Sequence, residues 1–164
     1  MAATDFSVTS EREALAGFLD QQREALIRKV EGLPDAAARQ APTASSLSLL
    51  ALIKHSAIWE RRWFQVILAG REFPGEWPQV RDDEETDLQV GADDTVAHWV
   101  AYYREQIAES RAVVAGRDLD AACAWPKLAD RNTRFVLLHM IEETARHAGH
   151  ADIIRETLDG STGI

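Results

Sequence analysis

The chain is short of several things, and each scarcity removes a class of protein. It holds one cysteine, Cys123, in 164 residues. No intrachain disulfide can form, and a reducing, cytoplasmic setting is expected. No apolar run reaches the ~20 residues that a membrane-spanning helix needs, so no membrane partner is expected. The opening Met-Ala-Ala-Thr-Asp-Phe-Ser has neither the charged start nor the apolar stretch of a secretory signal. Basic residues number 18 against 27 acidic ones, a net charge of −9. Phosphate backbones call for a basic patch, so nucleic acid is not an expected partner. No stretch reads convincingly as a strand.

What is present is ordinary for a globular chain: 46% hydrophobic and 27% charged residues. The length suits one domain over residues 1–164 with a single good-sized core. Four long stretches carry apolar residues at helical spacing. Ser10-Glu-Arg-Glu13 has the spacing of a capping box and opens a first helix to about Glu31. Its inward residues are Leu15, Phe18, Leu19, Leu26 and Val30, and Gly32 and Pro34 end it. A connector follows, whose alanine run allows a helical turn after Pro34. Ser45 or Ser46 is then the expected cap of a second helix, Leu47 to about Ala69. Its apolar face holds Leu49, Leu50, Ile53, Ala57, Phe64 and Leu68. Residues 71–94 read as a long loop. It has a turn-rich Phe73–Pro78 segment and an acidic run, Arg81–Asp87, most simply a solvated surface. Asp93 or Asp94 is the expected cap of a third helix ending near Gly116, with Val96, Val100, Tyr103, Ile107 and Val114 inward. Trp125-Pro126 interrupts the next connector. Asn132 or Thr133 starts a fourth helix that runs to Gly160. The pattern predicts an all-α, four-helix bundle, with the connectors leaving its topology open.

The fourth helix carries an unusual stripe. Of the five histidines, His139, His147 and His150 fall there, with Glu143 between them. At about 100° per residue, with His139 at zero, Glu143 lies near 40°, His147 near 80° and His150 near 20°. A core stripe would be Leu, Ile and Val, and a solvated one would mix Glu, Lys and Gln. Imidazole and carboxylate are ligands for zinc, nickel, iron and similar ions. Glu143 and His147 have i, i+4 spacing; His147 and His150 offer i, i+3. His55, amid Leu52, Ile53 and Ile58 in the second helix, is the natural ligand from across the bundle. Three protein ligands leave a position open for substrate. Two turns separate His139 from His147, so His139 is expected to pack in the core or support the site from behind. His98, beside Trp99, reads as structural. The order Glu-x3-His-x2-His differs from the His-Glu-x-x-His protease signature. Cys123 has no neighbouring His or Lys to lower its pKa and reads as packing. The five tryptophans suggest packing first, with Trp77 and Trp125 in connectors where they could line a pocket mouth.

The run Leu138–Gly160, with His139, Glu143, His147 and His150, resembles the C-terminal signature of the DinB superfamily. It is closest to the actinobacterial branch of mycothiol-dependent S-transferases and maleylpyruvate isomerases. Leu52-Ile-Lys-His-Ser-Ala-Ile-Trp-Glu-Arg-Arg-Trp-Phe64 resembles that branch's second-helix signature. The spacing between the two and the acidic loop fit as well, so the likeness covers essentially the whole chain. Thr144 and Ala148 depart from the branch's usual Tyr and Asn. The resemblance implies a DinB-like bundle holding a divalent ion through His55, Glu143 and His147, with His150 as a fourth ligand or a support. Zinc is the first expectation, with nickel or iron as alternatives. It further implies mycothiol as thiol cosubstrate and a small-molecule electrophile, and it leaves a homodimer open. Glu60 or Arg146 are candidates to orient the ligands. The competing readings are a non-catalytic metal-binding stress or detoxification protein and a helical scaffold with a vestigial site.

Overall fold

Side-chain caps set where the helices begin. In the computed structural model, which describes residues 10–72 and 88–162, the Ser10 hydroxyl accepts from the Glu13 N–H and starts α1, Glu11–Val30. A single helical turn, α2, Asp35–Ala38, follows Pro34. The next cap is Ser48, not Ser45 or Ser46: its hydroxyl accepts from the Ala51 N–H and starts α3, Leu49–Arg61. Thr95 rather than Asp93 or Asp94 caps α4, Val96–Ala115, accepting from the His98 N–H. The Asp94 carboxylate is taken up by Lys54, the Gly91 N–H and the Trp99 indole instead. Asn132 caps α5, Thr133–Asp159, which Gly160 ends in the left-handed conformation.

One helix departs from the expected form. Beyond Arg61 the chain widens into a π-helical segment, Arg62–Leu68. There the Ala69 N–H reaches back five residues to the Phe64 carbonyl at 3.1 Å. Gly70 turns the chain out with φ +70°, and a Cβ there would lie 2.8 Å from that of Ala124. Both constraints call for glycine.

Paired residues give the topology. Glu11 meets Arg134, and Lys29 meets Asp152, so α1 and α5 run parallel. Lys54 meets Asp94, Arg61 meets Tyr102 and Gln65 meets Gln106, so α3 and α4 also run parallel. Trp63 against His139 and His55 against His147 set α3 antiparallel to α5. The order of the four long helices is therefore up, down, down, up. Segment 73–87, with the acidic run and Trp77, lies outside the described residues, as do residues 1–9.

Two apolar clusters fill the bundle. One joins Leu26, Ile27, Leu50, Ile53, Val100, Tyr103 and Ile154. The other joins Leu19, Phe64, Leu68, Val136, Leu137 and Cys123. The expected inward faces of the second and third helices are all buried, but Phe18 of α1 is 44% exposed. Arg23 of α1 and Glu60 of α3 cross the middle as a buried ion pair, with Arg23 also held by Asp20 at 2.8 Å. Among the described residues there is no strand, and no helix is long and apolar enough to cross a membrane.

Candidate functional site

The antiparallel seam of α3 and α5 leaves a cavity of about 300 Å³. His55, Ser56, Trp59 and Trp63 come from the α3 side. His139, Met140, Glu143, Thr144 and His147 come from α5. Helical spacing explains the composition: His55, Trp59 and Trp63 recur every four residues, as do His139, Glu143 and His147.

The expected ligands meet here. The imidazoles of His55 and His147 stand edge to face, with centroids 4.9 Å apart. Glu143 is divided between two neighbours. Its Oε1 accepts from Arg146 at 2.9 Å, which leaves Oε2 facing His147 Nε2 at 3.8 Å. Arg146 also holds Glu142 at 2.8 Å. The Nδ1 atoms of His55, His147 and His150 are all withdrawn from solvent. His150 stands behind His147, with ring centroids 6.3 Å apart, and does not line the cavity. Its Nδ1 makes no hydrogen bond among the described residues. Two imidazoles and a carboxylate from facing helices are a donor set that suits a zinc-type ion.

His139 is closer to this chemistry than its spacing suggests. Its ring lies 4.3 Å from that of Trp63 and is stacked on Phe135. Among the described residues, it forms with Glu142 and Glu143 the group of ligand atoms that all lie within 4.8 Å of one another. The triple His55, Glu143 and His147 is not drawn that tight.

The other candidates fall elsewhere. Glu60 points away from the cavity to Arg23, while Arg146 does touch Glu143. Burial and then the charge of Glu60 push the Tyr103 phenol far up, so it stays protonated in the core beside Thr144. Cys123 is buried in the second apolar cluster, and burial raises its thiol pKa, the opposite of an activated nucleophile. Trp125 packs on the same cluster under Lys127, away from the cavity. His98 stacks on Tyr102 and meets Trp99 edge to face at the surface of α4. The residues that the sequence left as packing are Trp59 and Trp63. Their four-residue spacing from His55 is the signal that places them on the same wall.

The chain is thus a helical bundle that brings two histidines and a glutamate together across one seam. The chain matches the Mycothiol-S-transferase family model over residues 14–160, and it belongs to that family. A crystal structure described as the conserved protein of locus from Enterococcus faecalis has the same fold. It is 15% identical, with a TM-score of 0.66, covering 94% of this chain and 100% of that one. No curated protein matches the sequence.

Proposed function

We propose that the protein is a divalent-metal-dependent S-transferase that joins a low-molecular-weight thiol, mycothiol, to a small electrophile. His55, Glu143 and His147 hold the ion, zinc first, and His150 supports His147 from behind. The observation that carries this reading is the approach of His55, His147 and Glu143 Oε2 at the wall of a cavity open to a small molecule. Family membership supports the thiol.

The chain's own residues divide the work. Arg146, by occupying Glu143 Oε1, turns Oε2 toward His147. Trp59, Trp63 and Met140 supply the apolar part of the cavity lining. A divalent ion held by His55, Glu143 and His147 would supply the positive charge that favours the thiolate of a bound thiol at neutral pH, so no protein base would be required. Sulfur then bonds to the electrophilic carbon, the leaving group departs with its electron pair, and the thiol proton passes to water.

The test is direct. Protein purified without a His-tag is reconstituted with zinc, dialysed and assayed for metal, then given mycothiol and an electrophile. One ion per chain and S-conjugate formation are expected. A protein that stays metal-free, or turnover unaffected by His147→Ala, overturns the proposal.

A further inference from the structure

We infer that a second cavity, on the α1–α4 side of the bundle, is a binding site for a small amphipathic anion, an apolar ring that carries one carboxylate. This cavity holds about 260 Å³ and shares no lining residue with the one between α3 and α5. Two arginine bridges frame its mouth. At one end Arg12 of α1 donates to the carbonyl oxygen of Val114, at 2.8 Å, and to that of Arg117, just past the end of α4. At the other end Arg111 of α4 pairs with Asp20 of α1 at 3.1 Å. Arg12 and Asp20 are eight residues apart on α1, about 12 Å along its axis. Between the bridges the two helices present Ala16 and Ala115, whose methyl groups are too short to close the seam.

The interior suits both halves of such a ligand. Leu19, Phe64 and Leu137 are buried and form an apolar floor. Charge in the lining is not balanced. The guanidinium groups of Arg12, Arg23 and Arg111 stand against one carboxylate, Asp20. Glu60, which Arg23 also holds, makes that three cations against two carboxylates, so one positive charge is left over. The charge left over is that of Arg12, whose partners among the described residues are carbonyl oxygens. Arg23 is 3% exposed, and its guanidinium lies 5.4 Å from the Phe64 ring centroid, where the cations meet the apolar floor. A carboxylate entering here exchanges its water for charge-assisted hydrogen bonds, and its ring covers the floor. An uncharged ring gains only the second of these. A cation would face three guanidinium groups.

Calorimetry on the whole protein compares benzoate with benzyl alcohol, its uncharged counterpart. Benzoate is expected to bind at least about tenfold tighter. Arg12→Gln should remove most of that preference. Ala16→Leu, which fills the mouth with a good helix former, should remove the binding of both probes. His147→Ala, in the other cavity, should leave both affinities at their wild-type values. Equal binding of the two probes overturns the inference, and so does no benzoate binding at millimolar concentration. Both results come from the wild type alone, so they stand even if a variant fails to fold. Benzoate bound as tightly by Arg12→Gln or Ala16→Leu as by wild type, or lost in His147→Ala, puts the ligand elsewhere and overturns the inference as well.

Discussion

His55 on α3 and His147 on α5 meet edge to face, with ring centroids 4.9 Å apart. They belong to different parallel helix pairs, so an ion held between them ties the two halves of the bundle together. Zinc should therefore raise the melting temperature of the wild type, since it binds the folded state alone. His55→Ala and His147→Ala should each abolish that rise and the retained metal while leaving the helical circular dichroism in place. A full zinc-dependent rise in both variants would place the ion elsewhere, with His139, Glu142 and Glu143 the next set to replace.

The Arg23–Glu60 pair is buried on both sides, with Glu60 fully enclosed. Removing one partner leaves a charge in the core. Glu60→Leu should cost about 3 kcal/mol in urea unfolding, the low end of the usual ~3–5, because Asp20 still holds Arg23. The double variant Arg23→Met/Glu60→Leu should recover most of that loss, since an apolar pair avoids the desolvation penalty.

Gly70 and Gly160 both have positive φ, +70° and +74°, but only Gly70 has a neighbour in the way. Gly160→Ala should cost about 1 kcal/mol for the left-handed backbone alone. Gly70→Ala should cost at least about 1 kcal/mol more from the Ala124 contact. Equal melting temperatures for the two variants would contradict the packing of Ala124 against this turn.

Asp94 has its carboxyl held below the usual range. Burial works against its charge, but the hydrogen bonds from Lys54, Trp99 and the Gly91 N–H outweigh it. A folded pKa below the unfolded one gives stability that is complete above the unfolded value, ~3.9, and is lost as pH falls through the folded one. Asp94→Asn should thus be less stable than wild type at neutral pH, with the gap closing below about pH 4. Urea midpoints across that range measure it; a constant gap would assign the effect to packing.

Local signals in this chain were readable and neighbour-dependent ones were not. Ser10 and Asn132 cap their helices because a cap needs only an N–H three residues on. Asp94 looked as good a cap, but Lys54 and Trp99 claim its carboxylate from outside the turn, and Thr95 takes the role. Apolar stripes say which face is inward, not which helix it meets, so the parallel pairing of α3 with α4 left no trace in the spacing. The widened turn at Arg62–Leu68 likewise depends on the backbone bonds chosen, not on periodicity. His55, Glu143 and His147 stood out because imidazole and carboxylate on an inward face are unusual. Trp59 and Trp63 did not, because an inward tryptophan beside a filled space and one beside an open space look alike in sequence.

The parallel pairing of α1 with α5 also has a consequence during synthesis. α1 leaves the ribosome well before α5, its main neighbour, and the chain between them contributes α3 and α4. Until Thr133–Asp159 has emerged, the inward residues of α1, Leu19, Leu26 and Val30, lack most of their cover. Such exposed apolar surface is what holdase chaperones bind and what aggregates when left uncovered. Completion of the bundle and closure of the seam that carries His147 are therefore the same late event.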